Sequence, residues 1–241
     1  MINNSKEIKH LNAEELSGTV PIDLERQKSR LLILSSIAAC ILLSYRIAIT
    51  GSYYYLFLPW NLFLAWIPYV ISVGFKKIGP LRMNKLKAVL FFSSWLLFLP
   101  NSPYILTDLV HLATRPGIPL WYDALMILLF AWTGLLLGLI SMANAHRSFR
   151  RNFPERIAGS LMVFIILICS FGIYVGRVLR WNSWDLIAQP IALMKDISAQ
   201  FIHPFHHLQT FGMTFSFSLF LALCYTTLQA FSNPLKHEQT S

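Results

Sequence analysis

A chain of 241 residues with 55% hydrophobic and only 13% charged residues is too apolar for an ordinary soluble domain, in which about a quarter of the residues are charged. Its apolar residues fall in blocks of about 18 to 24, the length that crosses a bilayer core. The net charge of +9 is distributed between those blocks instead of forming one basic stripe, which argues against a nucleic-acid partner and makes the charge a matter of membrane topology.

In chain order, residues 1–30 are polar, mixed in charge and interrupted by Gly18 and Pro21, so a mobile or surface-lying cytoplasmic tail is expected there. The first span is expected over 31–50. "IAAC", Ile37–Cys40, resembles a lipoprotein cleavage box, but the apolar run continues past Cys40 and thirty residues precede it, so it reads as an uncleaved span. Arg46, near its outer end, is placed to snorkel or to pair with an acid. A second span follows over 56–75, opening with "PWN", Pro59–Asn61. A basic loop leads into a third span over 86–100, then "FLPNSPYILTDLVHL", Phe98–Leu112.

That stretch predicts a break. Pro100 has no N–H and disfavours helix in the residue before it. Ser102 followed by Pro103 is a restart signal, a hydroxyl cap and a proline at the first helical position. A short helix from Tyr104 to Thr114, lying at the outer surface, would put Ile105, Leu109 and Leu112 on one face. Thr107, Asp108, His111 and Arg115 would fall on the other. Asn101 is expected to satisfy backbone groups freed by the break.

A fourth span over 121–143 opens with Asp123 and carries Gly134-x-x-x-Gly138. A fifth over 157–176 ends with Gly172-x-x-x-Gly176. Small residues at that spacing let helix backbones approach closely. A long outer loop then opens with "GRVLRWNSWD", Gly176–Asp185, and closes with "HPFHH", His203–His207, before a sixth span over 208–231. Cys40, Cys169 and Cys224 lie within spans and form no C-x-x-C pair, so neither a disulfide framework nor a cysteine zinc site is indicated.

With the N-terminus inside, the inner segments hold Arg26, Lys28, Arg30, Lys76, Lys77, Arg82, Lys85, Lys87, Arg147, Arg150, Arg151, Arg156 and Lys236. The outer loops hold only Arg115, Arg177, Arg180 and Lys195. This asymmetry predicts a cytoplasmic (inner) membrane protein with both termini cytoplasmic. The fold expected is therefore all-α: a polytopic bundle of about six transmembrane helices over 31–232, N-in and C-in, with a short broken, interfacial helix after span 3 and a C-terminal tail over 233–241.

The outer loops are poor in lysine yet hold Asp108, Asp123, Asp185 and Asp196 with His111, His203, His206 and His207, which points to one outward-facing polar site. Trp121, Trp181, Trp184 and Tyr53–Tyr55 read as interfacial anchors. Arg177 and Arg180 could meet phosphate headgroups or pair with Asp108 or Asp185.

"LPNSPYILTDLVHL", "PLWYD" and "GRVLRWNSWD" resemble the hallmark blocks of domain of unknown function 1361 (DUF1361), a family of bacterial membrane proteins, in the same order and spacing over about Ser29–Phe231. The resemblance marks Pro100, Asn101, Pro103, Tyr104, Asp108, His111, Trp121, Asp123, Gly176, Arg177, Arg180, Asn182, Trp184 and Asp185 as family-type positions, and His203–Pro204 also looks familiar. It implies no activity.

Four readings stay open. In the first, the site binds or processes an anionic lipid headgroup or cell-envelope precursor. Arg177 and Arg180 would hold the anion, and Asp108 or His111 would serve as general acid or base. Asn101 and Asn182 would orient the ligand, Trp181 and Trp184 would shape an amphipathic pocket, and Tyr104, Asp123 and Asp185 would complete the binding set. The second is a non-catalytic accessory or scaffold subunit that docks another membrane protein and uses its Asp–Arg pairs as architecture. The third is a transporter. The fourth is a metal-dependent hydrolase with a divalent ion on Asp108, His111 and His203.

Overall fold

The computed structural model describes residues 22–78, 84–202 and 207–232; the terminal tails, His203 and His206 lie outside the described residues. The helices are α1 (Ile22–Thr50), α2 (Phe57–Ile78), α3 (Lys85–Phe98), α4 (Asn101–Tyr104), α5 (Leu120–Asn152), α6 (Glu155–Arg177), α7 (Asp185–Ala188), α8 (Pro190–Ile202) and α9 (Leu208–Ser232). A 3₁₀ segment, Ile105–His111, continues from α4. Among the described residues there is no strand. Six segments are long and apolar enough to cross a membrane, the third running continuously from Leu86 to His111. The protein is an all-α multi-pass membrane protein. α1 begins at Ile22, inside the stretch expected as tail. α5 runs on to Asn152, so Arg147, Arg150 and Arg151 ride on a helix and only Phe153 and Pro154 separate α5 from α6.

The bundle is organised around α5. Two-thirds of its apolar window is buried (67%), against 22% in α1 and 17% in α9. One side of α5 packs with α1 and α2 through Leu43, Leu58, Ala65, Phe130 and Ala131. The other packs with α3, α6 and α9 through Trp95, Met142, Ile165, Cys169 and Leu221. α1 shows how lipid inverts the usual pattern. Its buried stripe is narrow (Leu32, Ala39, Leu43, Arg46) while Leu31, Leu34 and Ile41 are about three-fifths exposed. Apolar side chains need no burial when the solvent is lipid, so what turns inward are small residues and polar ones.

Buried hydroxyls, indoles and amides bind the helices to one another. Ser141 Oγ donates to the Pro68 carbonyl at 2.9 Å and accepts from Trp95 Nε1 at 2.8 Å. Asn144 Nδ2 donates to Ser72 Oγ at 3.0 Å, and Ser35 and Thr133 hydroxyls join α1 to α5. Pro68 lies inside α2, and its own carbonyl is the one that Ser141 reaches.

The corner at Pro100 is the tightest part of the fold. The helical ladder breaks at the expected place, yet Leu99, Pro100, Tyr104 and Ile105 all hold right-handed helical angles. The chain therefore keeps its direction and tightens. Ser102 makes no capping bond; its hydroxyl donates instead to the Ala65 carbonyl of α2 at 3.1 Å. Both glycine pairs close on this corner. A Cβ on Gly134 would stand 2.6 Å from the Ser102 carbonyl oxygen and one on Gly138 would stand 3.0 Å from Ser102 Cβ. From the other side, a Cβ on Gly172 would lie 2.5 Å from Pro100 Cγ, and one on Gly176 3.2 Å from the Tyr104 ring.

Gly134→Ala meets backbone, which cannot swing aside, and is expected to destabilise by about 1–3 kcal/mol, the usual cost of overpacking. Gly159→Ala, where an added Cβ meets nothing within 4 Å, serves as the neutral control. Thermal unfolding in detergent, followed by tryptophan fluorescence, compares the two. Equal melting temperatures would show that the corner is not closely packed.

Candidate functional site

Three residues per turn eclipses positions i and i+3 in a 3₁₀ helix, so Ile105, Asp108 and His111 form one row. Ile105 is fully buried and Asp108 is 1% exposed, whereas Leu109 and Val110 face outward at 38% and 72%. The expected pairing of Leu109 with Ile105 rested on α-helical spacing, and the tighter pitch replaces it. In a lipid setting the result is the economical one, with the acid inside and the aliphatic residues outside.

Arg177, the last residue of α6, reaches across to this row. Its Nη1 donates to Asp108 Oδ1 at 3.2 Å and to Tyr104 Oη at 3.4 Å. Its Nη2 donates to the Thr107 carbonyl at 2.9 Å and to His111 Nε2 at 3.1 Å. The other Asp108 oxygen accepts from Asn61 Nδ2 of α2 at 2.8 Å. A guanidinium cannot accept, so His111 Nε2 carries the lone pair and Nδ1 carries the proton, which points at Tyr54 Oη, 3.4 Å away. Tyr55 donates to the His111 carbonyl at 3.3 Å. Burial holds the Tyr55 phenol above its ordinary pKa, against the opposing pull of Arg115, and keeps it a donor.

A second ion pair stands beside the first. Arg46 meets Asp123 through two bonds, Nε to Oδ1 at 2.7 Å and Nη2 to Oδ2 at 3.1 Å. The pair joins α1 to α5 with both side chains at most 2% exposed. The Arg46 guanidinium also lies 4.5 Å over the Tyr55 ring, so Tyr55 touches both assemblies. Of the three tyrosines expected as interfacial anchors, Tyr53 is 66% exposed and Tyr54 43%, but Tyr55 is fully buried.

The structure thus brings together Tyr104, Asp108, His111 and Arg177, and places Asp123 with Arg46. The rest of the expected set lies in the following loop. Asp185 Oδ2 accepts from the Asn182 backbone N–H at 2.7 Å and side-chain amide at 3.3 Å, a local turn. Trp184 packs on Trp60, ring centroids 6.2 Å apart. Arg180 is exposed with φ of +61°, and the Trp181 N–H reaches back to the Val175 carbonyl at 3.2 Å. That is a helix-ending reversal usually made by glycine, so Arg180 redirects the chain and lies apart from Arg177's cluster. Asn101 Nδ2 donates to the Phe98 carbonyl and to Ser183 Oγ, both at 3.0 Å; the Phe98 carbonyl lacks its helical donor because the Ser102 N–H turns to the Leu99 carbonyl.

A divalent ion does not fit Asp108 and His111 as they stand. Both imidazole nitrogens and both carboxylate oxygens are engaged, and a guanidinium occupies the space between them. Among the described residues no three His, Cys, Asp or Glu side chains converge as metal ligands.

Beside this cluster lies a cavity of about 410 Å³. Asn61, Asn101, Tyr104, Trp181, Asn182 and Ser183 line it together with Leu64, Leu96, Leu97, Ile168, Phe171, Leu193 and Ile197. Among the described residues no ionisable side chain other than the Tyr104 phenol is in its walls; Asp108 bonds to Asn61 and Arg177 to Tyr104, on the far side of those two residues. α8 forms one wall. Its 13 residues extend about 20 Å, too short to cross a membrane core of about 30 Å. It is held by Gln200 Oε1, which accepts from Tyr174 Oη at 3.0 Å and Thr210 Oγ1 at 2.8 Å, and by Asp196, which accepts from Trp181 Nε1 at 3.0 Å. Asn61 and Trp60 were visible in the sequence only as "PWN"; nothing local marked them as part of a site.

Residues 60–224 match the family model described as "Protein of unknown function (DUF1361)". Comparison with curated proteins and with solved structures gives no match.

Removing one partner strands a buried charge, at a cost of about 3–5 kcal/mol, whereas replacing both with apolar residues is often close to neutral. Asp123→Leu alone is expected to lower thermal stability sharply, and Arg46→Met with Asp123→Leu to regain most of the loss. A double mutant no more stable than the worse single mutant would contradict this account of the pair.

Proposed function

The chain belongs to the DUF1361 family, and from that starting point we propose that this multi-pass membrane protein binds an amphipathic, lipid-like molecule in the cavity beside Asp108. The observation that carries the reading is the division of the cavity wall. Amides, hydroxyls and an indole come from Asn61, Asn101, Tyr104, Trp181, Asn182 and Ser183, and apart from Ser93 the remaining side chains are mainly aliphatic and aromatic. Concave sites of this kind orient a ligand with a few polar groups and hold it by apolar contact.

The head this wall suits is uncharged and rich in hydroxyl or amide groups. An anionic head held by Arg177 finds less support, because all four terminal N–H groups of that guanidinium already have acceptors. Arg180, also expected to hold the anion, is absent from the wall. Asp108 and His111, expected as acid and base, take the role of positioning residues: they fix Asn61 and the end of α6, and through them the shape of the cavity. Membrane topology supports an outward-facing site. Arg26, Arg30, Lys87, Arg151 and Arg156 lie near the opposite ends of the spans, which by the positive-inside rule face the cytoplasm of an inner membrane.

The test is the lipid that stays with the protein. Mass spectrometry of extracts from the purified parent is expected to show enrichment of a neutral-headed amphiphile. Ile168→Trp, which fills the apolar end, should lose it while remaining folded. Trp60 and Trp181 supply a second readout, since a brominated neutral lipid should quench their fluorescence in the parent and far less in Ile168→Trp. Identical extracts and identical quenching in parent and variant would sink the proposal.

A further inference from the structure

At the other end of the bundle, we infer that a groove between α3, α5 and α6 holds an anionic diacyl phospholipid, its chains in the groove and its phosphate among Lys87, Arg151 and Arg156. The groove has a volume of about 350 Å³ and is walled by Val89, Phe92, Ala145, Phe149, Phe153 and Leu161 among others. Its wall is almost wholly apolar. Lys87 stands one turn before Phe91, and Arg151 three residues after Ser148, both groove-lining positions, so both flank its edge. Arg156 walls an adjoining hollow that shares Leu161 with the groove.

Charge completes the case. Arg147 is paired with Glu25, and Arg150 with Glu155. Lys87, Arg151 and Arg156 have no acidic partner among the described residues, and Lys87 and Arg151 are exposed. Topology alone accounts for basic residues at this end, but it does not call for an apolar groove between them. Basic residues around a gap between membrane helices are the arrangement that recognises acidic headgroups. The pairing also separates two ligand chemistries: the outer cavity offers neutral hydrogen-bonding groups, the inner groove uncompensated cations.

The experiment uses the full chain in a neutral detergent, with dioleoyl phosphatidylglycerol or dioleoyl phosphatidylcholine added to the micelles. Native mass spectrometry should retain the anionic lipid in preference to the zwitterionic one, and the melting temperature should rise with the anionic lipid alone. Inorganic phosphate should not reproduce the rise. Lys87→Gln/Arg151→Gln/Arg156→Gln should lower the apparent affinity about tenfold or more. Val89→Trp, which keeps every charge and crowds the groove from a residue 60% exposed, should lower it comparably. A parent without preference for the anionic lipid overturns the inference. So does a folded Val89→Trp variant that keeps the full preference, since charge alone would then explain it.

Discussion

A proline pair inside a membrane helix leaves carbonyls without donors, and the rest of this structure is arranged around meeting that need away from water. Pro100 and Pro103 remove two backbone N–H groups within one turn of each other. The chain answers in three ways. It tightens to a 3₁₀ segment at Ile105–His111, it supplies the Asn101 amide to the Phe98 carbonyl, and it brings neighbouring helices into van der Waals contact with the corner. That contact rests on Gly134 on one side and Gly172 on the other, where an added Cβ would overlap Ser102 or Pro100, and on Gly138 and Gly176, where it would press tightly on Ser102 or Tyr104. The glycines set the separation of α5 and α6 at the corner, and the hydrogen-bonding row depends on that separation.

The same tightening decides where the charges go. In 3₁₀ register Asp108 and His111 align behind Ile105, deep enough that Asp108 requires a counter-ion, and Arg177 reaches it because α6 ends at that level. Asn61 takes the second carboxylate oxygen and fastens α2 to the row. A few steps away Arg46 and Asp123 repeat the solution between α1 and α5, with Tyr55 between the two pairs. Buried pairs of this kind contribute little net stability, since desolvation offsets most of the attraction, but each is costly to break. Their effect is to specify one arrangement of helices. Fully paired, they also leave the adjoining cavity without an ionised wall.

How much of this was legible in the sequence follows from which signals are local. The spans, the break at Pro100 and the close approach at both glycine pairs rest on properties of single segments, whereas Asp108, 69 residues from Arg177, was one of several partners the sequence left open for it. The register of the piece after the break was not legible, because α and 3₁₀ spacing differ only in which of Leu109 and Asp108 follows Ile105 inward, and tertiary packing decides it. Arg180 looked like a second anion-binding arginine, since its role as a left-handed reversal has no compositional mark. Asn61 and Tyr55 lie about fifty residues or more from the partners that define them, so only the assembled bundle reveals them. The role of Asp108 and His111 was least accessible of all, since a buried acid next to a histidine reads equally as chemistry or as architecture until every lone pair is accounted for.

The bonding of Asp108 also sets it apart from the cavity. A catalytic carboxylate must come within hydrogen-bond reach of the group with which it exchanges a proton. Each Asp108 oxygen accepts one hydrogen bond, from Asn61 and from Arg177, and Asp108 is not among the residues that line the cavity. Freeing it would require Arg177 to leave, and Arg177 in turn holds the Thr107 carbonyl, so the move would unfasten the end of α6 from the 3₁₀ segment. An arrangement in which these charged residues also tie the helices together favours holding one shape. The polar groups that do line the cavity are the amides of Asn61, Asn101 and Asn182 and the hydroxyls of Ser93, Tyr104 and Ser183, groups suited to the neutral head proposed for its ligand.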